Sequence, residues 1–150
     1  MSNTSELQTK IGEIFKFIGV SPDIDIQTDS EGVVNVGIEG DDLNFLIGYR
    51  GESLDALQTL LGVMTFKETG AWETVVVDIN GYRKQKQEKI EQIARSYIDK
   101  VRFFGKEMEM NIMSPAERRM VHAFVSTYDD VISESTGEGQ NRRVVIKPKK

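Results

Sequence analysis

Apolar residues near the start of the chain recur every three or four positions: Leu7, Ile11, Ile14, Phe15 and Ile18. That spacing predicts an amphipathic helix over Thr4 to Ile18, and Gly19 and Pro22 end it. The pattern then switches to alternation in Ile24 to Gln27 and in Val34 to Ile38, which predicts two strands. Asp29-Ser30-Glu31-Gly32 between them is turn chemistry, so the pair reads as a hairpin. Helical spacing returns in Leu43 to Leu61, LNFLIGYRGESLDALQTLL. This stretch predicts a short apolar helix, a turn Gly48-Tyr49-Arg50-Gly51, and a second helix with Leu54, Leu57, Leu61 and Met64 on one face. Asp42 is expected to cap the short helix, Gly48 to close it in a left-handed conformation, and Gly51 to open the next. Thr74 to Ile79 predicts a strand, and Val75 to Val77 is apolar enough for a central position in a sheet.

Past Asn80-Gly81, which reads as a cap, a long helix is expected from Tyr82 to about Phe103, with Ile90, Ile93, Ala94, Tyr97, Ile98 and Val101 on its apolar face. Gly105 ends it. Glu107 to Ile112 alternates as a strand. Ser114-Pro115-Ala116-Glu117 has the form of a capping box with proline at the first helical position, and the helix it starts is expected to bury Met120, Val121, Phe124 and Val125. Val131 to Ser135 and Arg143 to Ile146 predict two strands joined by the glycine-rich Thr136 to Asn141. Helices and strands thus mix in an α+β class, with one module over residues 1–79 and a second over 80–150.

Composition narrows the chemistry. The chain has 150 residues, 39% of them hydrophobic, one histidine and no cysteine. Disulfides, a thiol nucleophile, a cysteine zinc site and a histidine metal cluster are thereby excluded. No apolar run reaches about 18 residues, the length a membrane span needs. The N-terminus lacks the basic and apolar regions of a signal peptide, so a cytoplasmic setting is expected. The net charge of −5 conceals an uneven spread: residues 1–80 carry 4 Lys and Arg against 14 Asp and Glu, whereas 81–150 carry 15 against 10. Two modules of different electrostatics, or two solvated surfaces of opposite bias, would each produce that split.

Two constellations carry candidate chemistry. The first is Gly48-Tyr49-Arg50-Gly51. Glycines admit close approach of another backbone, helix N-terminal amides favour an anion, and Arg50 adds a charged planar fork. A packing corner would need Gly48 alone. A nucleotide phosphate loop would need a longer glycine run ending in Gly-Lys-Ser/Thr, which is absent. A GxxG loop of a KH domain would clamp single-stranded nucleic acid. The motif by itself is weak, since Gly37 to Gly40 also fits it, but only the Gly48 match lies between two helices. The order over residues 4–79, helix, strand, strand, helix, GxxG, helix, strand, is that of a type II KH domain. The second constellation is Arg118 and His122, four apart on one helix face and bordered by Arg119. His122 either satisfies a neighbouring backbone group or belongs to a basic face for phosphates. Ser126 shares its side, but no third group completes a hydrolase. The basic first turns of the long helix, Tyr82 to Lys86, read equally as a solvated face or a nucleic-acid contact.

Arg118 to His122 resembles the signature of R-three-H domains, which bind single-stranded nucleic acid. Asn80 to Arg83, Met113 to His122 and Gly137 to Ile146 together resemble the C-terminal part of the bacterial Jag family (SpoIIIJ-associated, KhpB-like), which joins a KH domain to an R-three-H domain. Ile47 to Gln58 is similar to that family's KH loop. The resemblance implies a non-enzymatic RNA-binding protein without cofactor or metal. Its ligand would be single-stranded RNA, or single-stranded DNA, and its role post-transcriptional or in regulation of the cell envelope, elongation and shape. A small single-KH protein is the implied partner. The KH loop would be Gly48, Tyr49, Arg50 and Gly51, and the Arg-x-x-x-His face Arg118, Arg119 and His122 with Arg142 and Arg143. Two departures stand out. The chain as read starts at the KH helix, so the family's N-terminal Jag domain is expected to be missing. Tyr49 occupies a GxxG position that is commonly basic, which weakens phosphate attraction and offers a stacking ring instead. The acidic first half keeps open an adaptor that retains the fold with little RNA affinity. Replacing both Gly48 and Gly51 by Asp is expected to leave the fold intact and abolish the loop's contact.

Overall fold

The structure is a computed structural model and describes residues 4–150. These fall into two compact units, the first ending at Arg83 and the second running Lys84–Lys150. In the first unit, α1 (Thr4–Ile18) leads into a hairpin of β1 (Asp23–Thr28) and β2 (Val34–Glu39). The Asp29 carboxylate accepts the backbone N–H of Glu31 and of Val33 and so sets the turn, a local bond that aspartate makes readily. Next come α2 (Asn44–Ile47), a single 3-10 turn (Tyr49–Gly51), α3 (Glu52–Thr69) and β3 (Val75–Ile79).

β2 is the central strand, antiparallel to β1 and parallel to β3. The apolar run of β3 predicts a central strand, and the structure places it at the edge. Its burial alternates, with Val75, Val77 and Ile79 inward and Val76 half-buried. Within this unit α1 and α3 share one core with the inward residues of the sheet, so the run reflects β-branched propensity rather than helices on both faces. The inward residues meet Leu7, Ile11 and Phe15 of α1 and Leu54 and Leu61 of α3 in one core, with Leu57 and Met64 packed at its margin. Thr65 is buried there too, its hydroxyl donating to the Leu61 carbonyl.

In the second unit, α4 (Tyr82–Phe104), which begins in the first, is followed by β4 (Met108–Glu109), α5 (Pro115–Val125), β5 (Val131–Thr136) and β6 (Arg143–Pro148). The sheet order is β4-β6-β5, antiparallel throughout. Ala94, Ile98 and Val101 of α4 and Val121 and Val125 of α5 close over Met110, Val131, Val144 and Ile146. Ile93 is exposed instead, and Met120 is only half-buried outside this core; each lies off the line of its helix that faces the sheet. β4 is shorter than its alternation predicts. Pairing ends once the Met110 N–H reaches the Val144 carbonyl, after which the chain leaves for the Ser114 cap.

That cap is the capping box read from sequence. The Ser114 hydroxyl accepts the Glu117 N–H, and the Glu117 carboxylate accepts the Ser114 N–H. Glu117 is only 7% exposed and also pairs with Lys86 at 3.5 Å. The start of α4 is held differently from expectation. Asn80 has φ +52° and turns its amide back to Gly40, giving and receiving a hydrogen bond there. The Asp78 carboxylate, not Asn80, accepts the Arg83 N–H in the first turn of α4. Glu117→Ala removes the carboxylate's half of the capping box, the Ser114 hydroxyl still accepting the backbone N–H of residue 117, and a partner for a largely buried ammonium. We expect a loss of about 2 kcal/mol, measured by urea unfolding; no change would mean that the buried pair and the carboxylate's capping bond contribute nothing net.

Candidate nucleic-acid interface

The turn between α2 and α3 is built from three constraints on the backbone. Gly48 has φ +72° and ψ −172°, Arg50 φ +52° and Gly51 φ +82°. The first combination is open to glycine almost alone, and it differs from the left-handed cap the sequence predicts. A Cβ at Gly48 would lie 2.8 Å from the Ser53 Cβ and 3.1 Å from its backbone nitrogen, so Ser53 fills the space a side chain would need. Asp42 does not cap α2. Its own φ is +58°, and the residue at the cap, Leu43, makes no side-chain bond. α3 likewise starts at Gly51 with no side-chain cap; the Gly51 and Glu52 N–H groups turn back to the Gly48 and Tyr49 carbonyls. Glu52 and Asp55 sit in its first turn, where they suit the helix dipole and repel phosphate.

Arg50 and Tyr49 form one surface feature. The guanidinium carbon lies 5.3 Å from the centroid of the Tyr49 ring, and that ring is 71% exposed. The geometry changes how substitutions at the glycines behave. The Gly48 and Gly51 double aspartate collides with Ser53 at the first site and is strained at the second. It would distort the turn it was meant to preserve.

The second constellation is brought together by α5 and β5. His122 Nδ1 lies 2.7 Å from the Ser133 hydroxyl and Nε2 2.8 Å from the Ser135 hydroxyl. Ser133 and Ser135 alternate with Glu134 on β5, so both face α5. Sequence reasoning missed this pair; the signal was the alternation Val131, Ser133, Ser135, which puts two hydroxyls on the face of a buried valine. Arg118 donates to the Met113 carbonyl at 2.8 Å, and Arg142 donates to the Gly137 carbonyl at 3.3 Å. Both lie near enough to act on His122. Burial first, then the charges of Arg118 and Arg142, hold its imidazole below the usual histidine range. Arg119 is exposed on α5.

Arg143 is not part of this group. Its neighbour Val144 points into the core, so Arg143 points to the other face of the sheet, where it pairs with Glu109 at 3.5 Å. Lys147 shares that face and pairs with Glu134 and Glu107. Two of the three basic residues in the first turns of α4, Arg83 and Lys86, are also engaged internally. The Arg83 guanidinium donates to the Val77 carbonyl at 2.7 Å and to the Gln58 side-chain oxygen at 2.6 Å, and Lys86 pairs with Glu117.

The histidine and its serines can act as a relay for hydrogen-bond donors. A neutral imidazole donates from one nitrogen and accepts at the other. One serine therefore spends its proton on the ring while the other keeps its proton for an outside acceptor. In the protonated ring both nitrogens donate, and both hydroxyls are released as donors beside two guanidiniums. Such an array suits phosphate oxygens. Among the described residues no group of acidic, histidine or cysteine side chains could hold a metal, and no helix is long and apolar enough to cross a membrane.

A folded-state value below the unfolded one means the native protein prefers neutral His122. The stability this confers is complete above about pH 6.5, the ordinary titration point, and is lost as pH falls through that point toward the lower folded value. We expect the urea midpoint to fall between about pH 7.5 and 5.5 more steeply in wild type than in His122→Gln, because the amide has no proton to gain. Identical slopes would show that His122 is not the titrating group.

With the geometry in hand, comparison with known proteins places both units. Residues 8–79 match the family described as KhpA/KhpB, KH domain, and residues 88–148 match the R-three-H domain family. The chain is 32% identical over 139 residues to a Clostridium symbiosum protein named RNA-binding protein KhpB, covering 92% of this chain and 63% of that one. A Bacillus subtilis protein of the same name is 32% identical over 139 residues, covering 91% and 66%. A Streptococcus pneumoniae relative so named is 29% identical over 113 residues, 75% of this chain and 34% of its own length. The chain thus spans just under two thirds of the first two relatives and about a third of the other. It is a KhpA/KhpB-type KH domain followed by an R-three-H domain, similar over most of its length to the bacterial proteins that carry the KhpB name.

Proposed function

We propose that this chain binds RNA, single-stranded RNA in particular, without catalysing a reaction on it. The observation that carries the reading is the group on α5 and its neighbours: Arg118 and Arg142 beside His122 and two serine hydroxyls. The relatives named for RNA binding support it. In this reading the R-three-H unit supplies most of the electrostatic attraction, with Arg119 at its border. The KH turn orients the strand through the α3 amides, Arg50 and the exposed Tyr49 ring. Glu52 and Asp55 keep the turn's own affinity low. A cytoplasmic protein acting after transcription, or in regulation of cell envelope and elongation, fits such a ligand. A small single-KH protein is the proposed partner.

One observation favours a second reading, the protein-interaction adaptor. A shallow apolar groove between α1 and α3 is lined by Ile14, Phe17, Ile18 and Met64 with Lys10 and Glu13, and Phe17 is 95% exposed. The two readings separate by salt. An RNA binder loses affinity steeply as salt rises, and each phosphate contact removed flattens the logarithmic slope by about 0.7 for a single strand.

The test is affinity for a short single-stranded RNA across a salt series. Arg118→Ala and Arg142→Ala should each weaken binding and flatten the slope by about 0.7. Arg143→Ala, on the other sheet face, should change neither by a comparable amount. A wild-type affinity that is weak and insensitive to salt would favour the adaptor and overturn the RNA reading.

A further inference from the structure

The second glycine of the turn has a neighbour that accounts for it. A Cβ at Gly51 would lie 3.1 Å from Cε1 and 3.5 Å from Oη of Tyr82. Tyr82 is the first residue of α4, is half-buried, and packs against the core of the first unit. The next residue fixes where it stands. Arg83 Nε donates to the Val77 carbonyl at 2.7 Å, and Nη2 donates to Gln58 Oε1 at 2.6 Å. That same Gln58 oxygen accepts the Val77 N–H at 3.0 Å. The Arg83 N–H meets the Asp78 carboxylate at 3.1 Å. Gln58 lies on α3, under two turns beyond the helix start at Glu52. The first turn of α4 is thereby bolted to the helix whose N-terminus forms the turn, and the tyrosine ring is pressed against the turn itself.

We propose that Tyr82 and Arg83 are positioning residues for the Gly48–Gly51 turn, so that the KH unit is complete only through Arg83, four residues beyond the matched KH segment, which ends at 79. Gly51 is then glycine for two reasons. Its φ of +82° disfavours a side chain, and the ring of Tyr82 occupies the space beside it. The turn carries no side-chain cap on α3 and holds Arg50 at positive φ. A conformation of that kind persists only where its surroundings over-determine it. Ser53 supplies one wall and Tyr82 the other. Arg83 does this through hydrogen-bond geometry rather than charge, since a lysine has one nitrogen and cannot reach the carbonyl and the amide oxygen as a fixed fork. The inference rests on the RNA-binding reading only for its consequence in affinity; the positioning itself is a property of the protein alone.

The experiment uses the full chain with Tyr82→Phe, Tyr82→Ala, Arg83→Lys and Arg50→Glu. The first readout is made without RNA: backbone order parameters by NMR at Tyr49, Arg50 and Gly51. In wild type and Tyr82→Phe they should lie near about 0.85, the rigid range, and in Tyr82→Ala they should fall toward about 0.6. Arg83→Lys should lower them as well, although charge is kept. The second readout is affinity for a short single-stranded RNA, which Tyr82→Ala should weaken about as much as Arg50→Glu does, with Tyr82→Phe at wild-type strength. If Tyr82→Ala does not fold, Tyr82→Leu keeps most of the bulk beside Gly51 and should show intermediate order. Unchanged order in a folded Tyr82→Ala or Tyr82→Leu, or in Arg83→Lys, would overturn the inference. Lost order with unchanged affinity, and an equally silent Arg50→Glu, would support positioning while removing the KH turn from the RNA-binding reading.

Discussion

Ser53 leaves no room for a side chain at Gly48, Tyr82 crowds one at Gly51, and much of the first unit follows from that constraint. Backbone at positive φ through Gly48, Arg50 and Gly51 folds α2 back against α3. α3 then lays Leu54 and Leu61 on the sheet beside α1. The cost of a left-handed Arg50, on the order of 1 kcal/mol or more, is offset by packing that a relaxed turn would lose. The same turn leaves the amides at the start of α3 without a side-chain acceptor. In the proposed function this tight connection, demanded by packing, is also where the strand is oriented.

The charges divide the labour. The first unit is strongly acidic, and the acids nearest the turn, Glu52 and Asp55, oppose phosphate. The second unit holds most of the basic residues, but many are spent internally. Arg102 forks onto Asp130, Lys147 joins Glu134, Arg143 reaches Glu109 and Lys86 reaches Glu117. Arg118 and Arg142, the two guanidiniums near His122, donate instead to carbonyls. A guanidinium bonded to a carbonyl keeps its charge uncompensated, and its other donors remain in a fork suited to phosphate. The count of basic residues therefore says less about ligand than the identity of their acceptors.

Much of this was legible in the sequence because local chemistry dictated it. Periodicity placed the long helices, the alternation of Val34, Val36 and Ile38 placed β2, and Ser114 with Glu117 announced its capping box. The misses share a cause. Asp42 and Asn80 look like caps, but both adopt positive φ, and Asn80 gives its amide to Gly40, forty residues away in sequence. β3 looks central because valine favours strands wherever they lie. Arg143 looks like a partner of Arg142 because it adjoins it in sequence, while strand alternation sends it to the opposite face. The Ser133–His122–Ser135 bridge joins elements whose register no local pattern encodes, and Tyr82 meets Gly51 only through tertiary packing.

In the proposed function the α5 face and the KH turn touch the same ligand class while the rest of the surface does not. Ultraviolet crosslinking of the full chain to a short single-stranded RNA, with the modified residues located by mass spectrometry, tests this most directly. Crosslinks are expected at Tyr49 and in the segments around His122, Ser135 and Arg142. Crosslinks confined to the groove of Ile14 and Phe17, or to the sheet face of Arg143 and Lys147, would contradict it.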